Sequence, residues 1–227
     1  MNNFPALSED PVQKVQEAVV AALAEQWDDV GRHLGDIKLP PDRKPGANAA
    51  LGPKEVIREP PELTTTLTPS QFQELVVKVY HRDNFICRYC GSKTVFSPVL
   101  YILSALCSSQ LKAPEIFLYH SSWTKGGIHD FYYLYSTAPD HIIPKALLGQ
   151  DTEQNLLTAC CWCNNYKNYY TLERLGWNKL DPVPSSWRGL SEYFLELDKL
   201  CRKHNIALTL TTYKPLLNLF RKYNPQS

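Results

Sequence analysis

Apolar residues recur every three or four positions through Val12, Val15, Val19, Leu23, Trp27, Val30 and Leu34, one stripe of an amphipathic helix. Asp10 is placed as its N-cap, Pro11 suits the first helical position, and Gln13 completes a capping-box pattern. Gly35 is placed to stop it, so a helix is expected within residues 1–35. Such a stripe either packs on the rest of the chain or serves self-association or a protein partner. Residues 36–69 change character: Pro40, Pro41, Pro45, Gly46, Gly52, Pro53, Pro60, Pro61 and Pro69 break any period, as a linker or extended arm would. A second helix is expected from Ser70 or just before it, with Phe72, Leu75, Val76 and Val79 on one face, ending near His81–Asn84.

Ser97-Pro98 can start a short apolar helix through Val99, Ile102, Leu103 and Leu106. Residues 113–127 have loop composition, and the aromatic run Phe131–Tyr135 has the look of a strand. Two helices are expected near the end, over 190–203 with Leu190, Phe194, Leu197 and Cys201 in register, and over 215–223. No internal repeat or low-complexity tract is present.

With 227 residues and 44% hydrophobic positions, the chain can bury a sizeable core. It lacks an apolar run of about 18 residues and its first residues lack the pattern of a secretory signal, so a cytoplasmic protein with no membrane span is expected. The net charge of +1 is a weak footprint for a nucleic-acid binder. Its distribution says more: residues 1–70 carry a net −4, residues 71–180 a net +2 and residues 181–227 a net +3.

Seven cysteines, an odd number, argue against a disulfide framework. Cys87-Arg88-Tyr89-Cys90 and Cys160-Cys161-Trp162-Cys163 are instead two CxxC turns, and four thiolates suit a closed tetrahedral structural Zn²⁺ site. Two residues between ligands let both sulfurs reach one ion, and Gly91 lets the backbone fold back. Buried free cysteines or a redox pair are the other readings. The 69 residues between Cys90 and Cys160 far exceed an ordinary zinc ribbon, so the two turns would join elements distant in sequence. Cys161 should point away from the site, while Cys107 and Cys201 sit in apolar patterns and should be core.

Between the turns stand Asp140-His141-Ile142-Ile143-Pro144 and Asn155-Leu156, and the second turn continues into Asn164-Asn165-Tyr166-Lys167. Hydrolysis of a phosphodiester needs a base for water and a cation for the charge on the leaving oxygen. An imidazole titrates near neutral pH, which makes His141 the base candidate. On an extended segment Asp140 points to the opposite side and can hold metal. Asn164 can add a neutral oxygen, and Asp, Asn, waters and phosphate suit Mg²⁺ or a similar divalent ion. Lys167 can approach phosphate or simply face solvent. His120 and His129 are structural or surface residues, or substrate contacts.

This order of segments, with Arg82-Asp83-x-Phe85-x-Cys87-x-Tyr89-Cys90-Gly91 upstream, resembles the HNH endonuclease family with a zinc-bound hairpin; the close match covers about 82–91 and 140–175. The resemblance implies an α+β fold: a ββα-metal HNH core stapled by a four-cysteine zinc knuckle, with helices toward both termini. It implies that His141 ends the first strand, that Asn155 holds the connecting loop from the start of the second, and that products carry a 5′-phosphate. The α element is expected over residues 164–175, with Tyr166, Tyr169, Tyr170 and Leu172 covering the hairpin and Gly176 capping it. The final letter of the motif is here Asn164 in place of His.

The expected organisation is an N-terminal helix (1–35), a linker (36–69), a nuclease domain (70–180) with an insertion (94–139), and a C-terminal helical extension (181–227). The expected function is DNA phosphodiester hydrolysis, most simply on double-stranded DNA. The alternatives are a zinc-stapled nucleic-acid-binding module without turnover, or a partner-gated nuclease subunit of a bacterial defence system.

Overall fold

Thr137–His141 (β1) and Leu156–Cys160 (β2) form an antiparallel sheet in a computed structural model that describes residues 6–40, 67–119, 128–208 and 213–223. The fold is α+β. Most of the linker expected over 36–69 lies outside the described residues, as do His120, Trp123 and Lys125. The described residues fall into two compact units, one from 6–7, 40, 67–94 and 137–188, the other from 8–39, 95–119, 128–136, 189–208 and 213–223.

The first unit carries the sheet. Its α3 runs from Pro69 to Arg82 and begins with a full capping box between Thr68 and Gln71. Val76, Val79 and Tyr80 bury one face of α3 on the hairpin. The helix stops where Asn84 and Phe85 take positive φ, with the Phe85 N–H on the Tyr80 carbonyl. After β2 comes α6, Cys161–Lys167, shorter and earlier than the helix expected over 164–175. The Cys160 sulfur accepts the Cys163 N–H and so caps it, which moves the start forward. Asn168, at φ 51°, ends it. A separate turn, α7 (Leu172–Leu175), closes on Gly176 at φ 62°. Tyr170 is buried while Tyr169 is exposed.

The second unit is helical. The single expected helix within 1–35 is two: α1 (Asp10–Leu23) and α2 (Trp27–Gly35). Glu25, at φ 56°, makes the break, with Glu25 N–H on the Ala22 carbonyl and Gln26 N–H on that of Ala21. That is a Schellman ending without its usual glycine, so the sequence carries no signal for it. Asp10 lies inside α1, and Glu9 occupies the cap position. Val12, Val15, Val19, Val30 and Leu34 are all buried, as the packing reading of the stripe expects, while Leu23 and Trp27 are half-buried. The helix expected from Ser97 is α4, Ser97–Gln110, with Val99, Leu100, Ile102, Leu103, Leu106 and Cys107 all buried.

Phe131–Tyr135 is not a strand but part of a short helix, α5 (Asp130–Tyr135). Every one of these five residues is buried, and a continuous apolar run has no period to separate helix from strand. His129 caps α5 by accepting the Phe131 N–H at 3.3 Å. Helices α8 (Phe194–Lys203) and α9 (Tyr213–Tyr223) complete the unit, and Cys107 and Cys201 lie in its core.

One ionic clamp fixes the first unit. Asp83 is fully buried and accepts from Arg82 Nε and Nη2 (both 2.9 Å), Arg88 Nη1 (2.6 Å) and the Thr158 N–H (2.8 Å). Arg82 also donates to the Glu153 and Leu156 carbonyls, and the Arg88 N–H to the Thr158 carbonyl. Helix α3, the first CxxC turn and β2 thus share one carboxylate. Burial pushes the Asp83 pKa up, but the Arg82, Thr158 and Arg88 bonds outweigh it and the net shift is downward. Its contribution to stability is therefore complete above the ordinary carboxylate range and is lost as pH falls through the lowered pKa. Asp83→Ala is expected to cost about 3–5 kcal/mol in urea unfolding, because Arg88 stays buried without its partner. The difference between wild type and variant should hold steady from about pH 8 to about pH 5 and shrink in acid. A loss below about 1 kcal/mol would show the clamp to be dispensable.

Candidate active site and four-cysteine cluster

The first CxxC turn is a tight loop closed by the Cys87 N–H on the Ser92 carbonyl and the Gly91 N–H on the Cys87 carbonyl. Gly91 sits at φ 77°, a conformation that a side chain disfavours. The second turn spans the β2–α6 junction. The sulfurs of Cys87, Cys90, Cys160 and Cys163 all lie within 4.8 Å of one another, and all four residues are buried. Cys161 is outside the cluster and accepts from Asn165 Nδ2 at 3.2 Å. The four cysteines expected from spacing are thus brought together at a point that can hold a metal ion.

Beside the cluster, β1 and β2 pair with Asp140 opposite Leu157 and His141 opposite Leu156. The strand alternates, so the two side chains meet different surroundings. Asp140 is 6% exposed; Tyr89 donates its hydroxyl to Oδ2, and Lys167 Nζ lies 3.2 Å from the same oxygen. Lys167 is fully buried and also donates to the His141 carbonyl at 2.7 Å. Neither expectation for Lys167, a phosphate contact or a solvated charge, fits that burial: it is the counter-ion of Asp140. Burial raises the Asp140 pKa and lowers that of Lys167, while their mutual attraction opposes both shifts.

The His141 ring lies on the other side. Its Nε2 is 2.8 Å from Asp151 Oδ1, and Phe72 of α3 stacks parallel to it with centroids 6.3 Å apart. Lys145 Nζ reaches the second Asp151 oxygen at 2.9 Å. Burial raises the Asp151 pKa, but the bonds from His141 and Lys145 outweigh it and lower the net value.

Asn155 organises the loop between the strands. Its Oδ1 accepts the Ile143 N–H at 2.9 Å, and Nδ2 donates to the Ile143 and Gln150 carbonyls at 3.1 and 2.9 Å. Asn164 lies in α6, one turn before Lys167, and residues three apart share a helix face. Sequence reasoning missed Asp151, Lys145, Tyr89 and Gly149. A carboxylate ten residues after His141 has no periodic signal, and only the folded loop brings it back to the ring. Gly149 was not legible either: a Cβ there would stand 1.7 Å from the Ile143 carbonyl oxygen and 2.9 Å from Asn155 Nδ2.

Residues 125–169 match the protein-family model described as HNH endonuclease, a segment that contains both strands and α6. The match supports a nuclease-family role with nucleic acid as the substrate. No curated protein and no solved structure matches the chain.

Gly149→Ala is expected to push the loop off Asn155 and to cost about 1–3 kcal/mol, as overpacking does. Thermal unfolding and amide exchange at Ile143 measure this. An unshifted melt with an equally protected Ile143 amide would contradict it.

Proposed function

We propose that this protein is a metal-dependent endonuclease that hydrolyses DNA phosphodiester bonds, with His141 as general base and a divalent cation held by Asp140 and Asn164. The observation that carries the reading is the placement of Asp140 and His141 on opposite sides of one strand, inside the matched segment and braced by α6. The donor types suit a hard cation, one carboxylate and one neutral amide oxygen, and an ion at Asp140 would share that carboxylate with the Tyr89 hydroxyl and the Lys167 ammonium. Such an ion, when bound, supplies positive charge to the phosphate and the leaving oxygen.

His141 takes a proton from water. The water oxygen bonds to phosphorus, and the bond from phosphorus to the 3′ oxygen breaks. That oxygen leaves with the electron pair and gains a proton from solvent, and the new terminus is a 5′-phosphate. Asn155 keeps the loop beyond His141 in shape by bonding the Ile143 backbone in both directions.

The four-cysteine cluster fits Zn²⁺. A tetrahedral tetrathiolate has sulfurs about 3.8 Å apart, and Cys90 and Cys160 sulfurs lie 3.9 Å apart. This metal is structural: four protein ligands leave no open position for water. Held by Cys87, Cys90, Cys160 and Cys163, it would join the first turn to the start of α6 and so help to fix the helix that carries Asn164.

Purified protein is expected to contain about one zinc per chain, and Cys90→Ser or Cys163→Ser to unfold the first unit, since structural zinc binding is coupled to folding. A fully folded zinc-free protein would overturn that. Plasmid cleavage should require Mg²⁺ and stop with EDTA. His141→Ala should lower the rate by about 10²–10⁴-fold while DNA binding and zinc content persist. Asp140→Ala and Asn164→Ala should each raise the Mg²⁺ requirement at unchanged zinc. DNA binding by the wild type without cleavage at any Mg²⁺ concentration would favour the binding module without turnover.

A further inference from the structure

Resting on the reading of His141 as the base, we infer that Asp151 is its positioning residue: Asp151 selects which imidazole nitrogen carries the proton, and Lys145 fixes the orientation of the Asp151 carboxylate. The geometry is a chain of three side chains on one loop. His141 Nε2 is 2.8 Å from Asp151 Oδ1, and Lys145 Nζ is 2.9 Å from Asp151 Oδ2. His141 and Asp151 are each less than one-fifth exposed, so the bond between them is not an open surface pair, while Lys145 is half-exposed. His141 Nδ1 has no hydrogen-bond partner among the described residues.

The chemistry follows from what each group can donate. A carboxylate only accepts, so Nε2 must carry the hydrogen that reaches it. In the neutral ring Nδ1 then keeps the lone pair, and Nδ1 is the atom that can take a proton from water. Phe72 restrains the plane of the ring, and Lys167 restrains the backbone beneath it through the His141 carbonyl. After the transfer the ring is a cation, and Asp151 lies beside it as counter-charge. Asp151 acts through His141.

Lys145 makes the idea testable in an unusual way. An ammonium has three donors and no acceptor, so it needs an oxygen at the Oδ2 position. In Asp151→Asn the amide has one oxygen. If Lys145 holds it, the NH₂ group faces His141 and donates to Nε2. The ring must then carry its hydrogen on Nδ1, and the base is lost. Removing Lys145 frees the amide to turn over, so its oxygen can accept from Nε2 again.

The experiment has two readouts on the zinc-containing full-length protein. Long-range ¹H–¹⁵N spectra report the His141 tautomer without any need for turnover. Single-turnover plasmid cleavage with Mg²⁺ reports the rate. The wild type should show hydrogen on Nε2 and Asp151→Asn hydrogen on Nδ1, with a cleavage rate lower by about 10²–10⁴-fold, the range for loss of a general base. DNA affinity should be unchanged. Asp151→Asn with Lys145→Met should return the hydrogen to Nε2 and recover at least tenfold of the lost rate, although it removes a cationic side chain. Hydrogen on Nε2 in Asp151→Asn, or a double variant no better than the single one, would overturn the inference. A merely structural role for Asp151 predicts no rescue by a second substitution. If the wild type does not cleave DNA, the nuclease reading fails, and the tautomer series still decides whether Asp151 controls His141.

Discussion

The first unit depends on holding together two CxxC turns with 69 residues between them. Two five-residue strands make a sheet too small to stand in water. What gives this hairpin its supports is the meeting of Cys87 and Cys90 with Cys160 and Cys163 at one buried point. The second pair lies at the junction of β2 and α6, so whatever fixes those sulfurs also fixes the angle between strand and helix. Asp83 acts on the other end of the same connection, tying Arg82 and Arg88 to the Thr158 amide. Thiols and clamp enclose β2 from both ends, and β1 inherits its register by pairing with β2.

That arrangement explains the upstream motif in physical terms. Arg82, Asp83 and Arg88 make the clamp, Phe85 is buried where α3 stops, and Tyr89 reaches Asp140. Gly91 takes the backbone angle that lets the turn close. None of these residues needs to touch a substrate to matter for the site. They determine where β1 ends and how α6 faces it.

The legible part of the sequence was the part whose signals are local. CxxC spacing identified the four cysteines, and strand alternation placed Asp140 and His141 on different sides. The Gly176 end-signal and the period of α3 lie close to the observed helix bounds. What stayed hidden required tertiary information. The break at Glu25 preserves the apolar period on both sides, so the stripe looked continuous. Phe131–Tyr135 is buried all round and shows no period. The partners of His141 and Asp140 come from a loop and from a helix, and neither adjacency is written in spacing. Residues 95–119 and 128–136 share one unit with both terminal helical regions, a grouping that composition along the chain does not announce.

Lys167 shows how burial changes the meaning of a residue. A lysine near the end of a short helix is ordinarily a solvent-facing charge. Here its ammonium lies against the carboxylate of Asp140 and the carbonyl of His141. Burial drives both groups toward neutrality and prevails; each opposes that shift in the other, and the Tyr89 hydroxyl opposes it at Asp140. The Lys167 contacts from α6 and the Tyr89 hydroxyl from the first CxxC turn hold the end of β1, while Asp151 and Phe72 hold the His141 ring from the opposite side. Backbone and ring of His141 are therefore restrained by different elements. A change in the loop can turn the ring without moving the strand, and a change in α6 can move the strand without releasing the ring from Asp151. That separation is what allows ring orientation and strand position to be tested by independent substitutions.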